Sequence, residues 1–359
     1  MVGHYFGKGG DHEISSGSIG SFTLLGLLAG CGVASSASPS PHVGHLVSAT
    51  YLRSGLSLNS VMSKDYVGIE LPVGPPIYQN VVKKMQIQAI IHSGPFVYNV
   101  GTLEGEPVVV NVPPLDGITI RSLATERMET IFHIGSFLYA GTSGSHLRAL
   151  SFGDVVIGAR IVDFGNFIAS RHGTMTPGEF HNTESGVGAG KFLYLYSNPT
   201  LVKMAAQVAT PQKLGKTPAG VLDEKTGRLP WVMKFGTQGS SQMWLKDPAW
   251  IAASDKIFHE VDESGDYPSA LASMMNHVPF VEVNTISDNA LKVPTQFNVF
   301  FHEDSLFAQR RSNEILFKLL QAMAKRHMIS PPPANPTADP YVTGTFRHAL
   351  TPPSYVENP

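Results

Sequence analysis

The chain has 359 residues, 42% of them hydrophobic and 15% charged, which suits a folded protein with a large core and excludes a disordered polymer. Its 26 basic and 28 acidic side chains give a formal charge of −2, so no basic field draws it to nucleic acid. A single cysteine excludes an intrachain disulfide and the cysteine-based zinc spacings, and the 14 histidines are scattered. His259-Glu260 and His302-Glu303 read as surface pairs rather than metal ligands.

Residues 1–50 read as a signal-like leader and a linker. Phe22 to Val33 is apolar, too short to span a bilayer, and of the length of a signal-peptide core. Leu28-Ala29-Gly30-Cys31 is similar to a bacterial lipobox, which predicts a secreted, periplasmic or lipid-anchored chain held through Cys31. The stretch before it carries Asp11 and Glu13 beside Lys8, a less basic start than such leaders have, so a cytoplasmic chain stays open. Ser35 to His45 is the linker, rich in Ser, Pro, Ala and His.

From Tyr66, strand and helix patterns alternate. Tyr66 to Leu71 is a short strand, and Phe96 to Val100 and Pro107 to Val112 flank Gly101-Thr102-Leu103-Glu104-Gly105-Glu106 as a hairpin. Ile118 to Phe132 is a helix with Leu123, Met128 and Ile131 inward. A strand at Phe137 to Ala140 precedes a predicted small-residue loop, Gly141-Thr142-Ser143-Gly144-Ser145, and Gly153 to Gly158 turns into another strand. Arg171 to Gly190 is a long loop, Pro199 to Val208 a helix, Pro211 to Arg228 an inserted loop, Val232 to Gly236 a strand and Pro248 to His259 a helix. Phe307 to Arg326 has the clearest helical period, with Ile315, Leu316, Leu319, Leu320 and Met323 on one face and Arg310, Arg311, Lys318 and Lys325 mostly on the other. Residues 329–359 form a Pro-rich tail, which leaves 51–328 as the folded domain.

Val278 to Ala290 is the most informative stretch. Phe280, Val281, Val283 and Ile286 supply the bulk of a buried strand, and polar residues arrive only at its end, as Ser287-Asp288. Ligands of α/β sheets bind outside the carboxyl ends of strands, where a shielded carboxylate can hold a proton at neutral pH. The competing reading is that Asp288 caps a following helix.

Four pieces in order resemble the nucleoside phosphorylase and nucleosidase superfamily over about Tyr66 to Met328. They are the Gly101 to Val108 hairpin; Ala140 to Ser145 followed by Phe152-Gly153-Asp154-Val155-Val156-Ile157; Phe235 to Pro248; and Val261-Asp262-Glu263-Ser264 leading to Val278-Pro279-Phe280 and Ile286 to Ala290. The resemblance implies a three-layer α/β/α fold around a mixed twisted sheet, nearest to methylthioadenosine/S-adenosylhomocysteine nucleosidases and storage-protein relatives. It implies cleavage of a purine nucleoside's N-glycosidic bond, with Asp288 protonating the leaving base and Ser287 orienting it. Trp244, with Met243 beside it, would hold the base by stacking, Glu263 would grip the ribose hydroxyls, and Gly141, Thr142, Ser143 and Gly144 would bring backbone N–H groups to the ligand. No cofactor is implied apart from phosphate as a candidate co-substrate. The expected partner is a small-molecule nucleoside, and a homo-oligomer is implied by the resemblance alone.

Departures from the pattern matter equally. The family's first strand ends in an acid or a phosphate loop, whereas Val73-Gly74-Pro75-Pro76-Ile77-Tyr78 offers neither carboxylate nor arginine. Phosphate ligands would have to come from Arg121, Arg148 or a neighbouring subunit. Ser264-Gly265-Asp266-Tyr267-Pro268 reads as an insertion of about four residues before the helix resumes, leaving Glu263, Asp266 or neither as the ribose ligand. A catalytically degenerate binding or storage relative is therefore the alternative to an enzyme.

Overall fold

A computed structural model describes residues 47–72, 75–165, 167–169, 175–177, 194–218, 227–243, 245, 247–292 and 303–332. The leader with Cys31, Trp244, His302 and nearly all of the Pro-rich tail lie outside them. The first half of the described chain runs β1 (Val47–Leu52), α1 (Leu58–Met62), β2 (Asp65–Glu70), α2 (Pro75–Val82), β3 (Gln86–Ser93), β4 (Phe96–Leu103), β5 (Glu106–Asn111), α3 (Ile118–Ile131), β6 (His133–Ser145) and β7 (Val155–Asp163). It continues with β8 (Phe167–Ala169), β9 (Met175–Pro177), β10 (Tyr194–Tyr196), α4 (Pro199–Val208), α5 (Pro211–Leu214), β11 (Val232–Ser240), α6 (Pro248–Phe258), β12 (Glu260–Asp262), α7 (Asp266–Met275), β13 (Phe280–Asp288) and α8 (Glu303–Ala324).

The fold is mixed α/β. Eleven strands form one sheet in the order β1-β3-β4-β5-β2-β6-β12-β11-β7-β10, with β13 joining β6 to β7. Those pairings close β6, β13, β7, β11 and β12 into a ring, parallel at β6–β13, β7–β11 and β11–β12 and antiparallel at the other two seams. The ring is why β13 reads as a continuous apolar run: with a neighbour along each edge, Phe280 to Ile286 are all buried. Successive side chains of β13 address different helices, Asn284 donating to the Asp266 carboxylate on α7 and Thr285 meeting Ser312 on α8 at 2.7 Å.

Several sequence expectations need correction. Gly141 to Ser145 is not a loop but the end of the thirteen-residue β6, since β12 and β13 supply ladders that its composition does not advertise. Gly141 is required sterically: a Cβ there would sit 2.6 Å from Tyr139 Cε1 and 2.8 Å from Asn284 Oδ1. Leu123 is 48% exposed rather than inward, while Met128 and Ile131 are buried as expected. Arg311 leaves the polar face of α8 and is buried, its guanidinium donating to the Gly153 carbonyl and to Thr217. The helix expected to resume at Ser269 begins three residues earlier, as α7 at Asp266. β1 starts at Val47, inside the stretch assigned to the leader and linker.

The hairpin carries a first testable point. β4 and β5 join through Glu104 and Gly105, both at positive φ, and Gly101 faces β3 so closely that a Cβ would collide with the Gln86 carbonyl oxygen. Gly101→Ala should cost about 1–3 kcal/mol, the usual toll of overpacking. A urea midpoint equal to that of the unchanged protein would mean that β3 yields freely.

Candidate functional site

The parallel strands β6 and β13 end side by side, and their last residues build the centre of the site. Asp288 of β13 pairs with Gly144 of β6, and a Cβ on Gly144 would lie 3.3 Å from Asp288 Oδ1. Ser287 Oγ is 2.9 Å from Asp288 Oδ2 and 3.2 Å from the Ser143 carbonyl, so its one proton serves one of the two. No helix follows directly: Asn289 to Lys292 form a turn, so Asp288 is not a helix cap. Burial raises the Asp288 carboxyl above the usual carboxylate range, while Ser287 and the nearby His146 pull the other way. A carboxyl whose proton affinity is raised by burial is suited to general-acid work.

A second cluster meets the same spot from across the ring. β12 pairs Asp262 with Gly144, so the glycine is flanked by Asp262 on one side and Asp288 on the other. His146, two residues beyond Gly144, is buried, with Nδ1 2.8 Å from Glu260 Oε1 and Nε2 3.8 Å from Asp262 Oδ2. Phe164 packs edge-on against the imidazole at 5.2 Å, and Ser254 of α6 donates to Glu260. Burial opposes charge on His146, but the hydrogen bond to Glu260 and the surrounding carboxylates outweigh it and raise the imidazole's affinity for a proton. Burial likewise lifts Asp262 to about 7, against the pull of His146 and with the push of Glu263, Glu260 and Asp288. Glu260 is thus no surface partner of His259, whose ring lies 3.3 Å from Asp255 instead. Nothing in the sequence announces this group, because His146 lies 114 residues from Glu260.

Glu263 sits beside these groups but is engaged inward. It accepts from the Gly265 N–H, and its Oε1 is 3.7 Å from the Arg121 guanidinium. Arg121 is 1% exposed and also reaches Asp116 at 2.9 Å and Glu70 at 3.4 Å, beneath the Tyr139 ring at 5.7 Å. Burial opposes charge on Asp116, yet Arg121, Ser264 and the Gly117 N–H together hold it below the usual carboxylate range. Glu70, the last residue of β2, is fully buried; burial lifts it to about 7 against Arg121, Thr125 and Ser269. A cavity of about 280 Å³ opens next to this network, lined by Asp116, Gly117, Ser241, Gln242 and Ser264.

The structure therefore brings together Ser143, Gly144, Ser287 and Asp288. Gly141 lies three residues deeper, its carbonyl accepting from Ser312 of α8, with Thr142 next to it in the strand. Met243 is half-buried against the hydrophobic core, its N–H donating to Ser241, and Trp244 lies outside the described residues. Arg148 is exposed just past β6, whereas Arg121 is enclosed by three carboxylates and is not free to receive a phosphate. Among the described residues, no group of three His, Cys, Asp or Glu side chains is arranged to hold a metal ion, and no helix is long and apolar enough to cross a membrane.

No protein-family model matches the sequence, and no curated protein matches it at a significant level. Solved structures do match the fold. The methylthioadenosine/S-adenosylhomocysteine nucleosidase of Streptococcus pneumoniae, solved with a transition-state inhibitor, is 19% identical, with a TM-score of 0.56 over 72% of this chain and 100% of its own. The corresponding nucleosidase of Neisseria meningitidis, in complex with methylthio-immucillin-A, is 17% identical, with a TM-score of 0.56 over 72% and 99%. Futalosine hydrolase of Helicobacter pylori is 17% identical, with a TM-score of 0.53 over 72% and 98%. These neighbours all belong to the nucleoside phosphorylase and nucleosidase superfamily, and the mixed α/β fold with one large sheet matches theirs.

Proposed function

We propose that this chain, built on the nucleosidase fold, cleaves the N-glycosidic bond of a purine nucleoside with water. The observation that carries the reading is the Ser287–Asp288 pair, half-buried at the end of β13 against the side-chain-free Gly144, with burial pushing the Asp288 carboxyl up from its ordinary value. In the reaction the C1′–N bond breaks with its electron pair going to the base. Asp288 gives its proton to the purine, and water adds to the cationic sugar carbon. Gly144 puts no side chain beside the carboxyl, which leaves the base room to approach it. Water is preferred to phosphate because Arg121 is taken up by Glu70, Asp116 and Glu263. The reading includes a homo-oligomer, in which Leu123 and Met275, both exposed, are side chains an interface would cover.

One observation favours the alternative, a nucleoside-binding or storage relative without turnover. The carboxylate that ends β2, Glu70, is enclosed by Arg121, Thr125 and Ser269 and cannot meet an attacking water. Adenosine, inosine, methylthioadenosine and S-adenosylhomocysteine, each with and without phosphate, separate the readings when free base is followed. Release independent of phosphate is the expected result. Phosphate-dependent release would replace water as the nucleophile, and no release from any of them would favour the binding relative.

A further inference from the structure

Glu282 lies near the start of β13, fully buried, and no N–H or O–H donor reaches either of its carboxyl oxygens. Ionised, it would be an uncompensated buried charge, which costs far more than keeping the proton. Glu282 therefore holds its proton, and a buried O–H needs an acceptor. The carboxyl of Asp266, the first residue of α7, supplies one, and the Glu282 carboxyl hydrogen-bonds to it. Asn284, two residues further along the same face of β13, donates to both Asp266 oxygens at 2.9 and 2.8 Å and holds that carboxyl against the strand.

We propose that the proton between Glu282 and Asp266 latches the start of α7 to β13, and that the latch opens when this proton passes to solvent. Little else holds the helix start. Its N-cap, Gly265, makes no side-chain hydrogen bond, and the other ties are the Tyr267 N–H on Ser240 and the Ser269 hydroxyl on Glu70. With the proton gone, two carboxylates meet in a desolvated space, and parting them is the cheapest relief. No cation stands ready in the proton's place. Arg121 of α3 is taken up by Glu70, Asp116 and Glu263, and the ladder neighbours of Glu282, Tyr139 of β6 and Gly158 of β7, bring no positive charge. The remaining titratable groups facing the pair are Glu263 and Asp262 from the end of β12 and Glu70 from β2, and all three repel a second negative charge. Burial and this repulsion raise both carboxyls above the ordinary carboxylate range. The latched state therefore binds a proton that the open state, with its carboxyls in water, gives up at lower pH, so the latch is firm in acid and weakens as pH rises. The inference stands apart from nucleoside cleavage, although Glu263 and Ser264 lie in the chain just before the latched residue.

Amide hydrogen exchange in the full-length protein reads the latch without any substrate. Corrected for intrinsic rates, opening of the first turn of α7 should rise about tenfold per pH unit over the range in which the one proton leaves, while the amides of α4 hold steady. Glu282→Gln keeps the size and puts an amide N–H where the titrating O–H was, donating to Asp266 at every pH, so the turn should stay closed and the slope vanish. Asp266→Asn donates the other way, to Glu282, and should flatten the slope as well, which decides the matter if Glu282→Gln fails to fold. A slope between about pH 5 and pH 9 that is confined to α7 and lost in the folded variants supports the latch. A flat profile in the unchanged protein, a slope kept by a folded variant, or an equal loss of protection in α4 would each overturn it.

Discussion

Asp288→Asn should cut free-base release by about 10²- to 10⁴-fold, the range that a positioned general acid contributes. Asparagine keeps the shape and can still meet Ser287, but it has no proton of suitable acidity to give the leaving base. Stability should barely change, because burial already works against the aspartate's charge and no salt bridge is lost. The paired measurement is kcat beside the thermal midpoint. A variant within twofold of the unchanged protein in kcat would remove Asp288 from the mechanism, and a variant that unfolds would say nothing for catalysis, which is why Ser287→Ala belongs beside it. Loss of the hydroxyl leaves the acid in place and should lower kcat less than loss of the acid.

Arg121→Met is expected to be the most destabilising single change, by about 3–5 kcal/mol, the cost of leaving buried partners of an ion pair uncompensated. The guanidinium is the cation for Glu70, Asp116 and Glu263 together, and methionine replaces its stem but not its charge. The pH dependence has a definite sign. Glu70 is already lifted to about 7 with Arg121 present, so without it Glu70 and Glu263 keep their protons to higher pH. Both then bind more protons folded than unfolded, and the variant loses stability as pH rises through the neutral range. Denaturant midpoints at pH 5.5 and 8 check this; a loss below about 1 kcal/mol, or an equal loss at both pH values, would contradict a buried charge network.

Some of this was readable in advance for physical reasons. β13 declares itself because a strand inside a closed ring is buried on all sides, and its polar end marks where burial stops. α4 and α8 are legible from a Pro at the helix start after Asn198 and from the apolar period of Ile315 to Met323. β1 and β3 are less so, since an edge strand such as Val47 to Leu52 keeps polar, exposed side chains and gives no core pattern. The β6 segment at Gly141 to Ser145 has loop composition in a strand position, because close neighbours leave no room for larger side chains. Arg121 reads from sequence as a candidate phosphate ligand and Arg311 as a solvated helix charge; only the third dimension shows that carboxylates await one and backbone carbonyls the other. The His146 cluster joins β6, β12 and α6, and no local spacing encodes such a meeting.

Everything proposed for this site requires that the Ser287–Asp288 end of β13 turn a nucleoside over. A single-turnover experiment puts this most directly: protein in excess over methylthioadenosine, phosphate absent, free adenine followed over time. Stoichiometric adenine, released at a rate that falls as pH rises through the titration of Asp288, is the predicted result. Nucleoside that binds and is recovered intact would contradict it and leave a fold that holds its ligand without cleaving it.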